Sequence, residues 1–189
     1  MSRETAANIN AETDRLLVAR VVEHGDSGAF EQIVKRHQPA LRAWLRRMLP
    51  GSDPSVADDL AQETFLRAFR GLATFRGGSA LRTWITRIAF NVLRDHQRSR
   101  SVWHENSDEA LSEDPYDAPN IAETATMSAD IERALLELNP TQRTVVLLAC
   151  WADQSHSEIA ELTHLPLGTV KTHFRRALHR LAGRLKENV

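Results

Sequence analysis

Two stretches of this chain carry side chains that chemistry could use. Thr169, Lys171, Thr172, Arg175, Arg176 and His179 stand outside an apolar stripe of Val170, Phe174, Ala177, Leu178 and Leu181. A helix with hydroxyls and cations on its outer side can neutralise phosphates and reach base edges in a major groove. Upstream, Arg67 to Arg100 holds eight arginines (67, 70, 76, 82, 87, 94, 98 and 100) against one acid, Asp95. The sign then reverses, with ten acids against Arg133 from Ser101 to Leu138, and from Asn139 onward seven basic residues face four acids. A formal net charge of -1 therefore hides opposite blocks, and such blocks point to separate partners. The eight histidines contain no H-E-x-x-H and no i, i+4 pair, so no metal site is expected. The single cysteine, Cys150, excludes an internal disulfide and is expected to be buried in the apolar run 145–151. No catalytic residue and no cofactor are assigned.

These residues need helices to hold them. Asp14 to Glu23 reads as a short helix with Leu17, Val18, Val21 and Val22 on or near one face and Gly25 as its stop. Ser27 can cap a second, whose stripe continues through Leu41, Trp44, Leu45, Met48 and Leu49, with Pro39 expected to kink or divide it. Ser55 opens a helix carrying Ala61, Phe65, Ala68, Phe69 and Leu72 on one face. After Gly77-Gly78, Ser79 is a fair N-cap for the stripe Leu81, Trp84, Ile85, Ile88, Ala89 and Val92, in which Trp84 reads as core.

Ser101 to about Thr126 is acidic and aperiodic and contains Pro115 and Pro119, so it reads as a flexible linker. Beyond it Ala129 to Leu138 is helical, and Asn139-Pro140 supplies an N-cap and first-turn proline for a helix through about Trp151. Ser155-His156-Ser157-Glu158 matches the capping box of a short helix ending near Thr163-His164, and the last helix follows Pro166. No strand pattern survives. The expected fold is all-α: a domain over 10–100, an acidic linker over 101–127, and a helix-turn-helix domain over 128–189. No run approaches the roughly 18 apolar residues of a membrane span, and residues 1–10 lack the basic start and apolar core of a leader. The expected location is the cytoplasm, with no direct membrane insertion.

In order along the chain, four segments resemble the extracytoplasmic-function sigma factors of bacterial RNA polymerase. Asp58-Asp59-Leu60-Ala61-Gln62-Glu63-Thr64-Phe65-Leu66-Arg67-Ala68-Phe69 resembles the helix that docks on the polymerase clamp. Phe75-Arg76-Gly77 leading to Thr83-Trp84-Ile85 and Arg87-Ile88-Ala89-Phe90-Asn91 resembles the segment that melts and reads the minus-ten element. Leu138-Asn139-Pro140-Thr141-Gln142-Arg143, and Glu158-Ile159-Ala160 through Pro166-Leu167-Gly168-Thr169-Val170-Lys171, resemble the domain that binds the minus-thirty-five element.

The resemblance implies a non-enzymatic initiation factor that binds core RNA polymerase and promoter DNA under control of an anti-sigma factor. It assigns Asp58, Asp59, Gln62 and Glu63 to the clamp, as an acidic face that meets protein rather than phosphate. Asn91 takes the position that hydrogen-bonds a flipped base and Phe75 a wall or wedge, while Arg76, Arg87, Arg94 and Arg98 are phosphate contacts. Thr169, Lys171, Thr172, His173, Arg175 and Arg176 face the minus-thirty-five element. The acidic linker is implied to thread toward the active-site and RNA-exit channels.

The chain departs from the family pattern at Asp153-Gln154, where Gly-Leu is usual, and at His164, where the turn glycine is usual. Asp and His adopt left-handed backbone more readily than most non-glycine residues, so the turns should survive at some cost. Leu81 stands for a commonly aromatic residue and His173 for a commonly basic one. The competing reading is a polymerase-independent helix-turn-helix repressor or activator with a sensory N-terminal domain.

Overall fold

The computed structural model describes residues 3–105 and 127–187, and every regular element among them is helical. In chain order these are α1 Arg3–His24, α2 Ser27–Met48, α3 Pro54–Gly71, a 3-10 turn Leu72–Thr74, α4 Leu81–Glu105, α5 Met127–Leu136, α6 Pro140–Trp151, α7 His156–Thr163 and α8 Leu167–Glu187. They fall into two units. One holds α1 to α4 without the stretch Arg46–Asp53; the other holds that stretch with α5 to α8.

In the first unit α4 is the central element. Leu81, Thr83, Ile85, Thr86, Ala89, Phe90, Val92 and Leu93 are all buried, an arc too wide for a surface helix. The two threonines are tolerated inside because a hydroxyl can bond the preceding turn, as Thr86 Oγ1 does to the Arg82 carbonyl at 2.9 Å. Around α4 the wholly buried Ile33, Trp44, Leu45 and Leu72 fill the core. Asp14 of α1 is buried, its carboxylate taking Arg36 Nε and His37 Nε2 of α2, each at 3.1 Å, which ties the two helices together.

Several expectations for this half are corrected. The first helix is longer than Asp14 to Glu23, and Val22 is exposed. Gly25 does end it, at φ +64°. The cap of α2 is Asp26, which accepts from the Ala29 N–H at 3.0 Å, rather than Ser27. Pro39 lies inside an unbroken α2. The missing hydrogen bond and ring clash of an interior proline are outweighed by the apolar stripe on both sides of it, where Ala29, Ile33, Leu41, Trp44 and Leu45 are buried. Two residues after Ser79, α4 begins, and it runs to Glu105, four residues past the expected start of the linker at Ser101. The rest of the linker, 106–126, lies outside the described residues.

In the second unit Val145, Leu148, Ile159 and Val170 are wholly buried, so α6, α7 and α8 share one small core. Asn139 accepts from the Gln142 N–H at 2.8 Å with Pro140 at the first helical position. The Ser155/Glu158 capping box closes at 3.2 Å and 2.8 Å. Asp153 and His164 both take left-handed backbone, at φ +51° and +59°. Arg143 is the piece the periodicity does not reveal. Its guanidinium donates to the carbonyls of Leu135, Leu136 and Leu138 at 2.9, 3.1 and 3.0 Å, closing the open end of α5, and burial pulls its pKa below the usual arginine range. Cys150, expected inside, is exposed, because the inward arc of α6 is taken by Val145, Val146, Leu147 and Leu148. Leu178 is exposed as well, and Phe174 is half-buried, its ring edge-on to His156 at 4.8 Å.

Candidate nucleic-acid interface

On α4 the positions left outside the core arc are polar. Arg87, Asn91, Arg94 and Arg98 follow one another at steps of four, three and four residues, which on a continuous helix makes a single stripe. Asn91 and Arg98 are exposed, Arg87 and Arg94 half-buried. At the head of the stripe stands Trp84, half-buried, with the ring of Phe75 tilted against it at 5.5 Å between centroids. Phe75 follows the 3-10 turn, and Arg76 beside it is exposed before the tight bend at Gly77, φ +71°. Five of the six residues expected at the minus-ten element thus share one edge, and Arg76 flanks it in the loop. An aromatic pair beside a helix bearing an amide and three guanidiniums can stack on an unpaired base, hydrogen-bond its edge and hold its backbone.

Asp95, the acid in this arginine block, is neutralised. Its carboxylate lies 2.8 Å from Arg67 Nη1 of α3 and 3.7 Å from Arg98, and the Arg67 bond holds its pKa below the usual carboxylate range. Arg67 also takes Glu63 at 2.7 Å, and these two bonds, that to Asp95 first, raise its own pKa. All three side chains are about half exposed, so such pairs contribute only about 0–1 kcal/mol each.

The acidic residues of α3 therefore separate. Asp58 faces Arg42 of α2 at 3.1 Å and Glu63 is engaged by Arg67, whereas Asp59 and Gln62 are exposed. The sequence reading put Phe69 on the buried stripe with Phe65, and only Phe65 is buried; Phe69 is 50% exposed and Leu66 53%. Asp59, Gln62, Leu66 and Phe69 recur at steps of three, four and three, so they form one exposed stripe with polar residues at one end and apolar at the other. The ring of Phe30 on α2 buttresses Phe69 edge-on at 4.8 Å. Periodicity could not find this, because the α3 sequence is apolar on two adjoining faces and only packing decides which one is covered.

The short α7 and the left-handed turn at His164 lead into α8, which Val170 and Ala177 anchor in the core. Lys171, Arg175 and Arg176 are exposed; Thr169, Thr172 and His173 are half-buried. Thr172 Oγ1 donates to the Gly168 carbonyl at 2.9 Å, leaving its lone pairs as acceptors. The six expected residues thus occupy the first three turns of one helix, the cations outermost.

Residues 33–102 match the family described as Sigma-70 region 2, and residues 128–181 the family described as Sigma-70, region 4. The ECF RNA polymerase sigma-E factor of Haemophilus influenzae is 31% identical over 186 residues, covering 92% of this chain and 96% of that protein. The RNA polymerase sigma-H factor of Pseudomonas aeruginosa is also 31% identical, over 89% of this chain and 92% of its own. Among solved structures, the sigma factor RpoE in complex with the anti-sigma factor NepR from Bartonella quintana aligns with a TM-score of 0.64 at 29% identity, covering 83% of this chain and 96% of that one. CnrH in complex with the cytosolic domain of CnrY aligns with a TM-score of 0.60 at 26% identity, over 94% of this chain and 99% of that one.

Proposed function

This chain belongs to the extracytoplasmic-function sigma factors of RNA polymerase, and from that premise we propose how its residues divide the work of promoter-specific initiation. It is an alternative sigma factor that binds core polymerase and directs it to promoters; the polymerase-independent repressor or activator is not favoured.

The exposed stripe Asp59, Gln62, Leu66 and Phe69 docks on polymerase, with Asp58 and Glu63 as its flanking acids. The edge formed by Phe75, Arg76, Arg87, Asn91, Arg94 and Arg98 melts and reads the minus-ten element. Thr169, Lys171, Thr172, His173, Arg175 and Arg176 read the minus-thirty-five element. The first domain is carried to the end of α4 at Glu105 and the second opens with α5 at Met127, with the acidic segment between them lying along the polymerase channels. The observation that carries the reading is the aromatic, amide and guanidinium edge of α4, since a protein that only gripped duplex DNA would have no use for a stacking pair beside an exposed Asn.

Control by an anti-sigma factor follows from the likeness to RpoE, whose solved structure holds the anti-sigma factor NepR. No helix of the described residues is long and apolar enough to cross a membrane, and since a sigma factor works where polymerase and DNA are, the chain acts in the cytoplasm. As an initiation factor it is given no chemical step.

The test is core binding. Asp59→Arg combined with Phe69→Ser alters both ends of the docking stripe without touching a buried side chain, so helical content by circular dichroism stays unchanged while pull-down of core polymerase falls at least tenfold. Wild-type pull-down by the double variant sinks the docking assignment.

A further inference from the structure

Asp95 stands beside the edge of α4 that carries Asn91. It follows Asn91 by four residues and precedes Arg98 by three, spacings that make neighbours on a helix surface, about 5–6 Å apart at their β-carbons. A carboxylate so placed opposes what that edge offers DNA: it repels a phosphate, and it competes with that phosphate for Arg98. A different helix answers it. Arg67 of α3 reaches across with Nη1 2.8 Å from Asp95 Oδ2, whereas Arg98 Nη2 stands 3.7 Å from Oδ1 with its side chain 74% exposed. The Arg67 hydrogen bond is the main cause of the lowered Asp95 pKa, and Arg98 and Arg94 add only the pull of their charges. Glu63 takes Nε of the same guanidinium at 2.7 Å, which steadies the fork from one turn back on its own helix. Pairs this exposed contribute little to stability, so the fold gives small reason for the bridge, and its consequence lies in the charge beside Asn91.

We propose that Arg67 is a positioning residue for the minus-ten edge: it holds the Asp95 carboxylate toward α3 and cancels its charge, so that the edge meets DNA as amide and cations alone. The proposal rests on the reading of that edge as the surface that binds the minus-ten element, and extends it to a residue of the docking helix. Arg67 touches no DNA in this role. Losing it leaves two acids, Glu63 and Asp95, without their shared partner, and Asp95 then turns to Arg98 and withdraws that cation from the strand. Losing Asp95 instead leaves Arg67 paired with Glu63, so the field along the edge changes little. A direct contact between Arg67 and a phosphate would show no such asymmetry.

The test is a double-mutant cycle on purified holoenzyme assembled from the full-length chain, with affinity for a promoter fork whose minus-ten element is single-stranded measured across a salt series. Arg67→Gln is expected to weaken binding about fivefold at low salt, the deficit shrinking as salt rises and the screening length falls. Asp95→Asn should bind within about twofold of wild type, and Arg67→Gln combined with Asp95→Asn should return to that range, because the unmasked charge is gone. Arg67→Lys keeps a cation and should retain most of the affinity. A merely structural Arg67 would instead lower the melting midpoint and leave a deficit that neither salt nor Asp95→Asn removes, and that result overturns the proposal. A double variant as weak as Arg67→Gln, with an unchanged melting midpoint, puts Arg67 on a phosphate itself and overturns it as well. Weaker binding by Asp95→Asn alone, a variant that leaves Arg67 in place, makes the carboxylate a DNA contact and has the same consequence. Asn91→Ala separates the proposal from the reading beneath it. If it weakens fork binding while Arg67→Gln matches wild type, the positioning role fails and the edge stands. If Asn91→Ala and Arg98→Gln are both silent, the edge reading fails and the role of Arg67 with it.

Discussion

His164 and Asp153 are the clearest cases of a residue doing another residue's job. Both hold left-handed backbone at a turn where a side chain with a Cβ is strained, and His164 ends α7 in that conformation. Glycine adopts it without that cost. Replacing His164 by Gly is expected to raise stability by about 0.5–1 kcal/mol, seen as a higher urea midpoint, with promoter binding unchanged. A lower midpoint would mean that the imidazole makes a contact worth more than the strain. Asn91 presents the opposite case, because in the role proposed for it its value shows only when DNA opens. It is exposed on the edge headed by Phe75 and Trp84, so its contact forms after a base has left the stack. Asn91→Ala should therefore depress permanganate reactivity of the open complex several-fold more than it depresses the mobility shift of the closed one, and equal losses in both assays would remove Asn91 from base reading.

The helix caps of the second unit were legible because they are short-range, whereas at α2 the expected Ser27 gives way to its neighbour Asp26. Asn139-Pro140 and the Ser155/Glu158 box each need only a few consecutive residues, and all of them close as the sequence reads. What packing decides was not legible. Pro39 is carried through α2 by the buried stripe on either side of it, and Phe69 and Cys150 are exposed because neighbours with better-placed apolar groups took the interior. Arg143 joins two elements: it sits in α6, and the carbonyls it closes belong to α5 and the turn behind it. Its planar fork can reach three acceptors at once, which a lysine ammonium on a flexible stem cannot match. Arg143→Lys should thus cost about 1–3 kcal/mol, the loss expected for partly buried carbonyls left without donors, measured by denaturant unfolding of the full chain. A loss below about 0.5 kcal/mol would show that water replaces the guanidinium there.

At the scale of the whole chain, two small units are joined by an acidic segment that carries Pro115 and Pro119. In the proposed reading each unit offers one helix edge to DNA: the α4 stripe of Arg87, Asn91, Arg94 and Arg98, and the outer face of α8 with Lys171, Arg175 and Arg176. The minus-ten edge has its preferred ligand only when bases are unpaired, and unstacking costs a few kcal/mol per step, which one short contact does not repay. Joining the units by a long chain adds little, since the effective concentration of the second unit near its site falls with linker length. On that reading core polymerase would remove both obstacles by fixing the units at one spacing and holding the duplex open. The isolated chain is therefore expected to bind a promoter fragment weakly, with a steep salt dependence set by its arginines and with less than about threefold preference over a fragment whose minus-ten element is scrambled. Added core enzyme should raise that preference by at least roughly tenfold, the equivalent of 1.4 kcal/mol gained at the opened element. Competition binding on the same two fragments, with and without core, measures this directly. Tight and selective binding by the chain alone, indifferent to core, would mean that its helices read closed duplex and that the acidic segment holds them at a fixed spacing without polymerase.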